Sequence, residues 1–236
     1  MASAVDPKMK RRFDAAEKTR IHESPLARPA LAPTPDSLRR HFESEIGRAR
    51  RPLENPHVEP RITAAERDRA VPASVLLPVV LREPEPTVLL TRRPAGISFP
   101  GHWVFPGGRG DPGEGPLETA LRETEEEIRL SRDRLDVIGA LGEYVSHSGF
   151  RITPTIALVD PDAPWEANPR EVDEIAEVEL RRLCDPRSYF LFRFPDRRER
   201  AHFAMETGTE DCLLTGVTCS IAIGLYAELL RTHEPG

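Results

Sequence analysis

The chain has 236 residues, 39% hydrophobic and 31% charged, with a net charge of −6. This is enough apolar material for one domain with an extension or two small domains. The negative balance argues against bulk electrostatic binding to nucleic acid or to anionic membranes. No apolar run approaches the roughly 20 residues of a membrane span. The stretch MASAVDPKMKRRFDAAEKTR is basic with no apolar core behind it, unlike a secretory leader. A cytoplasmic location is expected, in which Cys184, Cys212 and Cys219, in no metal-ligand spacing, are reduced thiols.

Residues 1–34 are polar and punctuated by Pro25, Pro29 and Pro33, which reads as a flexible N-terminal extension. A helix is expected from Pro35, capped by Asp36 or Ser37, with Leu38, Phe42 and Ile46 on one face. Its remaining faces carry Arg39, Arg40, Arg48, Arg50 and Arg51 and read as solvated. A Pro-broken linker with one short helix near Ala64–Ala70 completes the segment 35–70, and a folded domain spans 71–232. There, Ser74–Leu81 and Thr87–Arg92 read as strands of a hairpin, with Pro78 at a bulge or an edge-facing position. Trp103–Phe105 is a short strand leading into a Gly/Pro loop.

The next segment, Phe105 to Leu130, is the one around which the rest is organised. Glu123, Glu126 and Glu127 fall three and four positions apart, on one helical face, while Leu117, Ala120, Leu121, Thr124 and Ile128 make up another. Like charges at that spacing destabilise a helix without a cation, which points to a divalent metal. Further strands are expected at Leu135–Val145, kinked at Gly139 or Gly142, at Phe150–Val159 and at Glu171–Leu180. A hairpin (Tyr189–Phe194 and Ala201–Met205) and a terminal helix (Leu214–Arg231) follow. Strands mixed with two strong helices indicate an α/β sandwich.

From Gly108 the order is Gly, five residues, Glu114, seven residues, Arg122-Glu123, two residues, Glu126-Glu127, two residues, Leu130. This resembles the Nudix box of hydrolases that split nucleoside diphosphates linked to another group. The pattern departs at Thr124, usually aliphatic, and at Arg129, usually glycine. The resemblance implies a Nudix-type α/β/α sandwich with a mixed sheet, and Mg²⁺ or Mn²⁺ as cofactor. It implies a metal set of Glu123, Glu127, Glu126 and the Gly107 carbonyl. Catalytic roles would fall to Glu126, Arg122 and Glu123. Hard divalent ions prefer such carboxylate oxygens, and Arg122 is placed to hold the glutamates in their rotamers. Glu114 reads as a loop anchor.

Outside the box, Leu89-Leu90-Thr91-Arg92-Arg93, Gly101 and Phe105-Pro106-Gly107-Gly108, with Ser148–Pro154 and Glu171–Glu174, resemble the coenzyme A pyrophosphatase branch. That implies a small-molecule nucleoside diphosphate substrate, coenzyme A or an acyl-coenzyme A. The arginine that the branch carries between Arg93 and Gly101 is missing from PAGISFP. Arg92, Arg93 and Arg109 are the candidate replacements for phosphate contact, with a surface or strand-end role as the alternative for each. Trp103 is the candidate to stack on a base, with a core or rim position as the more usual reading of such a residue. The alternatives are another nucleoside diphosphate derivative, such as ADP-ribose or a dinucleotide, and a non-catalytic binding module. A homodimer is compatible with the resemblance, and Glu143 and Glu171–Glu174 are candidates for a further carboxylate.

Overall fold

The computed structural model describes residues 14–20, 28–58 and 60–233. Of the segment read as a flexible extension, 1–13 and 21–27 lie outside the described residues, and two other pieces are held by the fold. Glu17–Arg20 form strand β1, and Leu31 is buried with its N–H on the Cys184 carbonyl at 2.9 Å. Helix α1 (Pro35–Glu43) is capped by Thr34 rather than by Asp36 or Ser37. The Ser37 N–H donates to the Thr34 hydroxyl and the Thr34 N–H to Ser37 Oγ, a reciprocal box. Ser44 ends α1 and caps α2 (Glu45–Arg48), so Ile46 does not continue the α1 face. Helix α3 (Ala64–Asp68) starts with a second such box, between Thr63 and Glu66.

The main sheet begins with β2 (Val71–Val80) and β3 (Thr87–Arg92), then β4 (Trp103–Val104) and β5 (Gly107–Arg109). Helix α4 (Pro116–Ile128) leads to β6 (Leu135–Ala140), β7 (Tyr144–Val145), β8 (Phe150–Val159) and β9 (Glu174–Glu179). Among the described residues the strand order is β4-β3-β2-β8-β6, with β5 on β2, β7 on β8 and β9 on β3. The β2–β8 pair is parallel and the others antiparallel, so the sheet is mixed. Pro78 falls where a missing N–H costs nothing. Leu76 donates towards β5 (to Pro106 O) and Leu81 towards β8 (to Val159 O), so even positions face the β3/β5 side. On that side the pairing with β5 ends at Val75 and the pairing with β3 starts at Val79, leaving Pro78 in the gap.

A sheet covered on both faces needs near-continuous apolar strands, which β2 and β8 supply. Leu76, Val80, Leu89, Ala157 and Val159 face α4, packing with Ala120, Ile128 and Leu130. Leu77, Val79, Val88, Leu90, Ile156 and Leu158 face the opposite way into the larger core. That core is closed by Leu38 and Phe42 of α1 and by Ile221, Leu225 and Leu229 of the last helix. The result is an α/β/α sandwich with a mixed sheet, the architecture that the resemblance implies. After β9 come α5 (Leu180–Leu183), β10 (Tyr189–Arg193), β11 (His202–Glu206), β12 (Leu213–Thr215) and α6 (Gly216–Leu230). A smaller antiparallel sheet runs β1-β10-β11-β12.

Several boundaries differ from expectation for local reasons. The strand read as Leu135–Val145 is bulged between Val137 and Gly139 and interrupted after Ala140. A Cβ at Gly139 would lie 2.7 Å from the Phe42 ring, so glycine at this position makes room for α1. The segment Glu171–Asp173 is a turn and pairing starts only at Glu174. Leu117 is 43% exposed, while Ala120, Thr124 and Ile128 are buried. The three cysteines are free and buried. Among the described residues no helix is long and apolar enough to cross a membrane.

Candidate active site

The site is built where β5 runs antiparallel to the first half of β2, with Ser74 opposite Gly108 and Val75 opposite Gly107. Both glycines are required by contact. A Cβ on Gly107, whose φ is 150°, would lie 2.3 Å from Ser74 O. A Cβ on Gly108 would lie 2.5 Å from the Glu123 carboxyl carbon. The glycines therefore let the strand lie against both its neighbour and the glutamate of α4.

Arg122 spends its fork on the loop and the helix together. Nε and Nη2 donate to the two Glu114 oxygens at 2.9 and 3.0 Å, Nη1 to Glu123 and Glu126 at 3.0 Å each, and Nη2 to the Arg109 carbonyl at 3.1 Å. Such bidentate geometry is what a planar guanidinium does and an ammonium does not. Glu114 also accepts from the Asp111 N–H and the Thr119 hydroxyl, at 3.0 and 2.9 Å. These bonds, Arg122 first, bring its carboxyl down to about 2. Glu114 is thus an anchor that ties the loop to the helix.

Glu123 and Glu127 sit deeper. Burial pushes the Glu123 carboxyl up, against the pull of Arg122. Glu127, 8% exposed, accepts the Gly107 N–H at 3.2 Å. Burial raises its carboxyl to about 8, and the charges of Glu123 and Glu171 add to the rise. Glu126 keeps half its side chain in solvent beside Arg122. Hard oxygen donors crowd here with Arg122 and the more distant Arg93 as their cations, a charge deficit that a divalent ion would relieve. The residue types therefore fit Mg²⁺ or Mn²⁺. Among the described residues no three acidic, histidine or cysteine side chains converge as a ready cage, because the glutamates are splayed around Arg122 and Gly107.

Of the four expected substrate-binding residues, Arg92 and Trp103 are brought into contact with each other, while Arg93 and Arg109 are engaged elsewhere. Arg93 is half-buried, with Nε on Ser98 O at 2.8 Å, and the field of Glu127 reaches its guanidinium. Arg92 is turned away, ion-paired with Glu174 at 2.9 Å and laid over the Trp103 ring at 5.6 Å. Arg109 has an exposed side chain and contributes its carbonyl to Arg122. Trp103 corrects the stacking expectation. It is 4% exposed in the larger core and its Nε1 donates to Asp211 O at 2.9 Å, so no ring face is open to a base. Of the candidate further carboxylates, Glu171 adds its charge to the rise of Glu123 and Glu127, whereas Glu143 pairs with Arg151 at 3.6 Å. The departures at Thr124 and Arg129 are accommodated locally. The Thr124 hydroxyl donates to Ala120 O at 2.7 Å, and Arg129 takes the left-handed cap position at φ 54° that glycine ordinarily fills.

Asn168 was not legible in the sequence. It stands in a Pro- and Asp-rich loop with no spacing that ties it to the box, yet its side chain bonds the Glu126 carbonyl.

The model of the NUDIX domain family matches residues 72–205. The chain is 37% identical over 151 residues to an uncharacterized Nudix hydrolase NudL of Photorhabdus laumondii, covering 63% of this chain and 80% of that one. It is 44% identical over 110 residues to a NudL of Yersinia enterocolitica, covering 46% and 56% respectively, so that match spans about half of that relative's length. A MutT/nudix family protein from Enterococcus faecalis overlays with a TM-score of 0.46 at 17% identity, over 75% of this chain and 67% of that one. With the family pattern covering more than half of its length and its glutamates set around Arg122 and the Gly107–Gly108 strand, the chain belongs to the Nudix hydrolase family and is a pyrophosphohydrolase.

Proposed function

We propose that the protein hydrolyses the pyrophosphate bond of coenzyme A or acyl-coenzyme A, giving 4′-phosphopantetheine (or its acyl form) and adenosine 3′,5′-bisphosphate. The observation that carries this reading is the convergence of the branch-like stretches on one strand. Ala73 of β2 has Arg109, just past the Phe105–Gly108 stretch, on one side and Ile152, within Ser148–Pro154, on the other. The strand that carries Leu89–Arg92 joins the far end of β2 just ahead of that stretch, through Thr87 and Val88 opposite Val80 and Val79.

Glu123, Glu127, Glu126 and the Gly107 carbonyl would hold Mg²⁺ or Mn²⁺. When bound, the ion supplies charge neutralisation at the diphosphate and lowers the pKa of the attacking water. The chain's own residues do the rest. Arg122 holds the Glu123 and Glu126 carboxylates in place. Glu126, at the solvent edge, accepts a proton of the water that adds to phosphorus as the bridging P–O bond breaks. Arg93 contacts a phosphate oxygen and offsets part of the charge carried by the missing branch arginine.

A substrate panel with Mg²⁺ or Mn²⁺ at mildly alkaline pH, read by mass spectrometry, tests the reading. Coenzyme A is expected to be split, a chelator to abolish turnover, and Glu127→Gln to lower kcat at least 10²-fold, on the order of 3 kcal/mol of transition-state stabilisation. Unchanged activity in Glu127→Gln overturns the site assignment. One observation favours a second reading, an ADP-linked sugar or a dinucleotide. The loop 94–100 has no arginine, and Arg93 commits its Nε to Ser98 O. A preference for ADP-ribose or a dinucleotide of about tenfold in kcat/KM removes the coenzyme A assignment and leaves the hydrolase intact.

A further inference from the structure

A helix leaves its last four carbonyls without intrahelical partners, and in α4 those carbonyls belong to Glu126, Glu127, Ile128 and the cap residue Arg129. The Arg129 N–H still closes the last helical bond, to Glu125 O at 3.0 Å. The carbonyls of Glu126, Glu127 and Ile128 are met by a loop some 40 residues onward. Asn168 N–H donates to Glu127 O at 2.8 Å, Asn168 Nδ2 to Glu126 O at 3.1 Å, and Glu166 N–H to Ile128 O at 2.9 Å. Two of the three bonds come from Asn168, and they fall on the backbone of two consecutive glutamates of the site.

Asn168 also organises its own turn. Its Oδ1 accepts the Arg170 N–H at 3.2 Å, and its carbonyl accepts the N–H of Glu171 and of Val172 at 2.9 and 2.8 Å. Val172 is 2% exposed and packs in the cluster that holds Ile128 and Leu130, so the turn is pinned by packing as well as by hydrogen bonds. Between the two pins sits Glu171, whose charge pushes up the carboxyls of Glu123 and Glu127. The turn is therefore held to the end of α4 by Asn168 together with the Glu166 N–H and the packing of Val172.

We propose that Asn168 is a positioning residue of the hydrolytic reaction. By clamping the Glu126 and Glu127 carbonyls to the 166–172 turn, it fixes the carboxylates of α4 in the arrangement that turnover requires. The inference rests on the hydrolase reading and not on the choice of substrate. A misplacement of about 1 Å in a catalytic constellation costs up to roughly 10²-fold in rate. The side chain itself touches no reacting atom.

The test uses the full chain, the preferred diphosphate of the panel, and two variants. Asn168→Ala loses both side-chain bonds. Asn168→Asp keeps the acceptor for Arg170 and loses the donor to Glu126. Both are expected to lower kcat about 10- to 100-fold with KM within about threefold, to raise the Mg²⁺ concentration for half-maximal activity several-fold, and to weaken Mg²⁺ binding measured by calorimetry without substrate. Wild-type kinetics in Asn168→Asp beside a defective Asn168→Ala would show that only the turn acceptor matters and overturn the proposal. So would unchanged kcat and Mg²⁺ binding in both. Should the variants not fold, the side-chain amide resonances of Asn168 in wild-type protein decide. Adding Mg²⁺ with a non-hydrolysable diphosphate is expected to shift them, and no shift overturns the clamp. If wild-type protein splits no diphosphate at all, the functional reading fails first, and the Mg²⁺ calorimetry and the amide resonances still decide the clamp.

Discussion

Gly108 and Glu123 fit each other, and the fit can be measured. The methyl of Gly108→Ala would meet the Glu123 carboxyl at 2.5 Å, and the far end of a glutamate yields more readily than two paired strands. The expected outcome is a displaced carboxylate, kcat down about 10²-fold, and a melting midpoint within a few degrees of wild type. Near wild-type turnover would mean that the carboxylate works from some other position. Arg129 offers the opposite experiment. Its φ of 54° costs about 1–2 kcal/mol in a residue with a Cβ. Arg129→Gly regains that, less about 0.5–1 kcal/mol for the freer unfolded chain and a few tenths for the exposed Glu166 ion pair. A net stabilisation of about 0.5 kcal/mol is expected by denaturant unfolding. A loss of stability would show that the cap is not strained.

Among elements, α4 was the most legible because its positions are fixed by chemistry at helical spacing, and burial of Ala120, Thr124 and Ile128 follows the same period. The strands β2, β3 and β8 were legible as apolar runs. The short strand β5 was not, since three residues GGR carry no period and pair only because β2 lies beside them. Trp103 left two readings open, because an aromatic near a phosphate-binding loop looks the same in sequence whether its ring is free or buried, and its ring is buried. The Asn168 clamp spans 42 positions with no motif at either end. The packing of α1 on α6 has a pH dependence of its own. His41, 3% exposed, bonds Thr232 Oγ1 at 2.7 Å through Nδ1 and lies 3.4 Å from Glu228 and near Arg231. Burial holds its pKa below the usual 6.5, although Glu228 pulls the other way. The unfolded chain thus takes up a proton that the folded one resists. The contribution of His41 is present above about pH 6.5 and is lost as pH falls below it. The slope of stability between pH 7 and 5 is expected to be shallower in His41→Gln than in wild type, and equal slopes would remove His41 as its source.

At the scale of the whole molecule, the sheet separates two bodies of apolar packing. The face opposite α4 holds the larger core, in which Leu225 is 1% exposed. Leu225→Ala is expected to cost about 2–5 kcal/mol while kcat of the folded fraction stays within about twofold. A parallel drop in kcat would mean that the two faces communicate. The face that carries α4 has a thinner core, and the glutamates, the glycine strand and the Asn168 turn all gather on its side. Substitutions behind the sheet therefore change how many enzyme molecules survive in a cell, and substitutions in front of it change what each survivor accomplishes. Abundance and specific activity can then drift independently over generations, each within its own half of the same fold.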